Sequence, residues 1–117
     1  MNDRSCVIHL AEAQADIPGP YGEHATTVLR RGTVDVALSM PTSPVQQTPH
    51  TQDEIYVIIR GNAIAVHEGK REICAAGDLV FIAAGIEHQF EDTSEDFAVW
   101  RIFYGPGGGE NSTSNKS

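Results

Sequence analysis

Cysteine, basic charge, long hydrophobic runs and extended helical periodicity are all scarce in this chain, and each scarcity closes off a class of protein. Two cysteines, Cys6 and Cys74, cannot staple a domain of 117 residues, so this is not a disulfide-framed secreted module. Lysine and arginine total 8 against 16 aspartates and glutamates, a net charge of −8. That is the opposite of the basic footprint that nucleic acid or an anionic membrane surface demands. The acidic residues are scattered along the chain, which favours solubility over one specific partner. The longest apolar stretch, around LVFIAAGI, is far too short to cross a bilayer. His9 and Glu12 break the apolar segment of MNDRSCVIHLAEAQA, so it does not read as a signal peptide, and a cytoplasmic protein is the expectation.

What is present is β texture. Residues 1–23 read as a leader that ends in DIPGPYG, with at most a short helical turn across LAEAQA. From His24 the chain breaks into short β-rich runs divided by turn residues. ATTVLR and TVDVALSM flank Arg31-Gly32 as a hairpin, and EIYVIIR and AIAVHE flank Gly61-Asn62 as another. Gly69-Lys70, Gly77-Asp78 and Ala84-Gly85 then introduce REICA, LVFIA and IEHQFE, and FAVWRIFY follows the polar DTSED loop. Many short strands at close intervals predict one all-β antiparallel domain over residues 24–104, a sandwich or barrel. The end, residues 105–117, is low in complexity and reads as a flexible tail. Its glycines lead into no helix and so make no dinucleotide loop.

The chemistry concentrates in TPHTQDEIYVIIRG, Thr48 to Gly61. With a strand period of two, Thr48, His50, Gln52, Glu54, Tyr56 and Ile58 share one face, polar at its start and apolar at its end. Ile55, Val57 and Ile59 occupy the other, which predicts burial on both sides. An imidazole and a carboxylate pointing the same way at a barrel mouth can share a divalent metal. The competing reading is structural: His50 hydrogen-bonds a loop carbonyl, and Glu54 pairs with Arg60 or Arg71. In GDLVFIAAGIEHQFED, His88 follows a glycine turn at the start of a strand. From a neighbouring strand it would complete a set of two histidines and one carboxylate with open positions.

These two stretches resemble the paired motifs of the cupin superfamily, G-x5-H-x-H-x3,4-E-x6-G and G-x5-P-x-G-x2-H-x3-N. Glu54 and Gly61 keep the E-x6-G spacing, and His50 stands at the second histidine. Gly77, Gly85 and His88 keep the spacing of the second motif. Thr48 replaces the first histidine, Ala83 the proline and Asp92 the asparagine, and the initial glycine is missing near Met40-Pro41.

The resemblance implies an antiparallel double-stranded β-helix, the cupin or jelly-roll barrel, in one domain. It implies one divalent metal ion (Fe, Zn, Mn or Ni) held by His50, Glu54 and His88. Gln47 and Gln52 are candidates for a fourth ligand, and water is the alternative. Thr48, Tyr56 and Phe90 would line the pocket, and a small-molecule ligand and a homodimer are the implied partners. Iron would suit dioxygenase-like chemistry; zinc, manganese or nickel would suit a Lewis-acid isomerase or lyase. A non-catalytic sensor or carrier barrel is the alternative. No catalytic residue is assigned, because Glu54 as a ligand is no free base.

The remaining candidates read as structural. His9, His24 and His67 match no motif position, Trp100 packs the sheet, and Cys74 is a small core residue with no base to activate it. Arg101 alternates with Trp100, so one of the two faces inward. Solvent exposure is the expectation for Arg101, and an inward guanidinium would suit a carboxylate.

Overall fold

The computed structural model describes residues 5–42, 45–47 (backbone only) and 49–111. Among them a short helix, α1 (Leu10–Ala15), precedes strands β1 (Ala25–Arg31), β2 (Val34–Ser39), β3 (Val45–Gln47), β4 (Asp53–Arg60) and β5 (Asn62–His67). Strands β6 (Lys70–Ala75), β7 (Leu79–Ile82), β8 (His88–Glu91) and β9 (Ala98–Tyr104) complete the order. They form two sheets, β1-β2-β9-β4-β7 and β3-β8-β5-β6. All the neighbours pair antiparallel, in the two-layer arrangement of a jelly-roll barrel.

The Arg31-Gly32 and Gly69-Lys70 turns close hairpins, β1 on β2 and β5 on β6. The expected hairpin about Gly61-Asn62 does not form. β4 pairs with β7 and β9, while β5 pairs with β6 and β8, so the chain turns a corner there from one sheet into the other. Gly61 is required at that corner. Its φ is +79°, and a Cβ would come within 2.8 Å of the Phe97 Cα.

The sheets enclose a core of Tyr56, Ile58, Ala63, Ala65, Cys74, Ile82, Phe90, Phe97 and Val99. A second cluster lies on the outer face of the first sheet. There α1 brings Leu10 and Ala13 onto Leu38, Ala98 and Trp100, with Ile17, Val28, Met40 and Ile59 around them. The residues before the barrel thus include an element that buries apolar sheet surface, which LAEAQA can do because Leu10 and Ala13, three residues apart, share one helix face. Burial on both sides of β4 is only half realised. Ile55 and Val57 are half-buried, and their partners Phe81 and Leu79 on edge strand β7 are exposed.

The start of the expected tail is tied down. The Gly105 N–H donates to Thr33 Oγ1 at 3.0 Å, that of Gly108 to the Thr51 carbonyl at 2.6 Å, and that of Glu110 to Asp53 Oδ2 at 2.9 Å. Residues 112–117 lie outside the described residues. The glycines of GPGGGE serve this return. Gly109 has φ +87° and passes so close to Asp53 that a Cβ would meet its Oδ1 at 2.7 Å.

Candidate functional site

Alternation along β4 turns Glu54, Tyr56 and Ile58 into the barrel. Register continues the inner face onto Phe103, Arg101 and Val99 of β9 and onto Ile82 and Val80 of β7. From the opposite sheet β8 contributes His88 and Phe90. The interior is therefore apolar at one end and polar at the other.

The entrance to β4 fixes the loop that delivers His88. Asp53, 5% exposed, accepts the Ala84 N–H at 3.0 Å, and the His50 carbonyl accepts the Gly85 N–H at 2.7 Å. Gly85, at φ +81°, then turns the chain so that the Ile86 N–H donates to the Ala83 carbonyl. Asp53 was passed over in the sequence because a carboxylate beside turn residues is indistinguishable there from a solvated one. The Ile86 carbonyl can only accept, so the proton of His88 sits on Nδ1, 2.9 Å away. That leaves Nε2 facing Tyr56 Oη at 2.9 Å and Glu54 Oε1 at 3.1 Å.

Glu54 is 2% exposed and His88 6%. Beyond the ion-pair contact with His88, neither Glu54 oxygen has a well-directed donor among the described residues. Arg60 and Arg71 do not supply one: Arg60 donates to the Asp96 carbonyl, and Arg71 pairs with Glu91 at 2.5 Å. A buried carboxylate in this condition costs several kcal/mol unless a cation joins it. Burial pulls the His88 pKa down, but the close contact with the Glu54 carboxylate and the hydrogen bond to Ile86 outweigh it, leaving a net rise. Burial, then the nearby Glu54 carboxylate, push the Tyr56 phenol far above its ordinary value, with Arg101 pulling back.

The other predicted residues divide. Phe90 meets Tyr56 edge-on at 5.0 Å and Phe97 at 5.1 Å, so it walls the interior. His50 is exposed, its ring tilted over Phe103 at 4.1 Å between centroids. Phe103 is the register partner of Glu54, so His50 stands beside the Glu54–His88 pair without joining it. Gln47 is the register partner of His88, and its side chain and the whole of Thr48 lie outside the described residues. The Gln52 amide donates to the Thr33 and Gly105 carbonyls, both at 3.0 Å, and is engaged in holding loops together. Among the described residues no group of three or more His, Cys, Asp or Glu side chains is assembled to hold a metal.

Arg101 corrects the expectation of solvent exposure. It is the inward member of the Trp100-Arg101 pair, in register with Tyr56 and half-buried, with its guanidinium 4.8 Å from the centre of the Phe103 ring. Trp100 packs outward against the α1 cluster. Both faces of the sheet offer apolar cover, so hydrophobicity in FAVWRIFY could not choose between the two sides. His67 sits at the same end of the barrel, paired with Glu72 at 2.7 Å and lining a cavity of about 480 Å³ that reaches His88 past Gly69 and Glu87. Cys74 is a core residue whose thiol is pushed up by burial, and both cysteines are free. No helix among the described residues is long and apolar enough to cross a membrane.

Residues 31–104 match the family described as the cupin domain. An uncharacterized protein of Streptomyces coelicolor is 37% identical over 60 residues, which are 51% of this chain and 57% of that relative. The match thus spans little more than half the relative's length. Among solved structures, a cupin 2 conserved barrel domain protein from Salinispora arenicola superposes with TM-score 0.66 at 18% identity, over 87% of this chain and 91% of that one. A DMSP lyase from Ruegeria pomeroyi superposes with TM-score 0.61 at 20% identity, over 75% of this chain and 50% of that one. At such identities these two likenesses speak to the fold alone.

Proposed function

The chain belongs to the cupin family, and on that premise we propose that it is a metal-binding cupin acting on a small organic molecule that coordinates the ion. One observation carries this reading: the buried Glu54 carboxylate lacks well-directed donors and lies 3.1 Å from His88 Nε2. The separation is short enough for the two side chains to serve as ligands of one divalent ion. The Ile86 carbonyl supports it further, because a ligating histidine ordinarily has its other ring nitrogen held in this way. These residues fit a divalent cation.

Glu54 and His88 would hold it, with His50 as the third donor and Gln47 or water completing the set. Bound there, iron would supply dioxygen chemistry, and zinc, manganese or nickel would supply Lewis-acid polarisation suited to isomerase or lyase reactions. Tyr56 holds a proton at its hydroxyl, 2.9 Å from His88, and its raised pKa keeps that proton on. It is a hydrogen-bond donor at the edge of the site and a poor base. Phe90 and Phe103 exclude water from the carboxylate's surroundings.

A second reading, a non-catalytic carrier or sensor barrel, is favoured by Tyr56 itself. Its hydroxyl already caps the Nε2 lone pair, and the described residues bring only two donors together. Exposed Ile73, Leu79 and Phe81 on edge strands β6 and β7 support a homodimer. The free cysteines, one of them exposed, support a cytoplasmic setting.

The test is a titration of the full chain, purified without chelators, with Fe(II), Zn, Mn and Ni. The wild type should take up about one ion per chain, and Glu54→Gln and His88→Gln should each weaken uptake at least about 10–100-fold. Wild type that binds none of the four, or variants that bind equally well, would overturn the metal site. Oxygen uptake confined to the iron form would mark the oxygenase; equal ligand affinity with every ion and no turnover would mark the carrier.

A further inference from the structure

Arg101 has no assigned task, yet it is an unusual object in the place where it sits. It projects from the middle of β9 onto the inner face of the barrel, in register with Tyr56 and two residues before Phe103. Its Nε is buried and has no hydrogen-bond partner among the described residues. Among the described residues no hydrogen bond or ion pair joins it to the acidic side chains around it. Asp35, two residues along β2 from Arg101's register partner Ala37, is paired through Oδ2 with Arg30 at 3.1 Å and keeps a buried, unpartnered Oδ1. Glu54 faces His88, and Asp53 accepts the backbone N–H groups of Ala84 and Glu110. Phe103 supplies a flat surface under the guanidinium at 4.8 Å, which steadies the planar group while leaving its edge for a planar oxyanion.

A buried guanidinium N–H without an acceptor is costly, and a ligand that brings one removes the cost. We infer that Arg101 anchors the carboxylate of the ligand this barrel takes, so that its substrate class is a small organic acid. The inference rests on the interior being the ligand site, as in the function proposed above. It adds the direction in which the ligand lies: carboxylate toward Arg101 and Phe103, the rest of the molecule toward Tyr56, Glu54 and His88. A carboxylate matches the fork of a guanidinium with two parallel hydrogen bonds, which a lysine ammonium cannot reproduce. In a chain of net charge −8, an inward arginine also offsets the repulsion an anion would meet.

The probes are malonate and succinate, with malonamide and succinamide as neutral counterparts of the same shape, titrated calorimetrically into the full chain with and without the ion it prefers. The wild type should bind at least one dicarboxylate and neither diamide. Arg101→Met keeps the stem and its packing and should weaken dicarboxylate binding about 10–100-fold; Arg101→Lys keeps the charge without the fork and should recover only part of the loss. Metal uptake should be the same in Arg101→Met as in wild type, because Arg101 is no ligand. Loss of dicarboxylate binding in Arg101→Met of a chain that takes up no metal would sink the metal site and leave this inference standing. Normal metal uptake with dicarboxylate binding indifferent to residue 101, or diamides binding as well as the acids, would overturn the inference alone. So would a wild type that binds none of the acids in either form. Should Arg101→Met fail to fold, phenylglyoxal labelling of the wild type with peptide mapping decides the matter. Malonate and succinate should protect Arg101 and leave Arg30 and Arg71 reactive, and an unprotected Arg101 would overturn the inference.

Discussion

The two ends of the barrel interior are built from the same strands and obey opposite rules. At the closed end Ile58, Val99, Phe97, Ala63 and Cys74 fill the space with groups that ask nothing of one another beyond contact. At the mouth Glu54, Tyr56 and His88 are as buried and Arg101 is half-buried, and both Glu54 oxygens and the Arg101 Nε have no directed partner among the described residues. A few residues along one strand separate a region arranged for stability from one whose unmet hydrogen-bonding capacity makes sense only with something bound.

Substitutions at the two ends should therefore separate stability from binding. Phe97→Ala, 2% exposed and packed edge-on against Phe90, should cost about 3–5 kcal/mol of unfolding free energy by denaturant titration and leave any residual folded protein with its metal affinity. Glu54→Gln is equally buried and should do the reverse: metal uptake lost, with metal-free stability within about 1 kcal/mol of wild type or higher, since an uncompensated charge has been removed. If Glu54→Gln unfolds the protein as Phe97→Ala does, the mouth is core like the rest, and the contrast fails.

Tyr56 sharpens the comparison because it belongs to both regions. Its ring packs on Phe90 while its hydroxyl caps His88. Tyr56→Phe keeps the first and removes the second, so stability should fall by only about 1 kcal/mol. Metal affinity should rise several-fold as Nε2 is released, which parallel melts and metal titrations would measure. A fall in affinity would mean that the hydroxyl supports the ion instead of competing for its place.

The smallest effect is expected outside the barrel, at Arg71–Glu91. The hydrogen bond from Arg71 holds the Glu91 carboxyl below its ordinary range, against the opposing effect of burial, with Gln89 and the Arg71 charge assisting. The folded pKa lies below the unfolded one, so this pair stabilises above the ordinary glutamate pKa and its contribution is lost as pH falls through the lower folded value. The difference in melting temperature between wild type and Arg71→Ala should be small at pH 7, smaller in high salt, and absent near pH 2. A difference that grew on acidification would contradict that sign.

Much of this was legible in the chain. Alternation along EIYVIIR placed Glu54, Tyr56 and Ile58 on one face before any coordinates did, and the glycine spacing before His88 marked a second strand with a histidine at its start. The hairpin misread at Gly61 shows the limit of local signals. The same turn glycine serves a hairpin or a corner between sheets, and only the pairing of β4 with β7 and β9 decides which. The start of the expected tail is tied down for a related reason. Glycine-rich sequence permits disorder, but it equally permits the close approach of Gly109 to Asp53.

By itself the sequence determined the strand texture, the parity of each residue within its strand and the resemblance to the cupin family, because these depend on local period and spacing. Tertiary structure alone decided that Glu54 would lie 3.1 Å from His88, that His50 would rest on Phe103, and that Arg101 would turn inward with its Nε unpartnered among the described residues. Those are relations between strands far apart in the chain, set by register and by which face each sheet buries, and a period of two along one strand carries no information about what stands across from it.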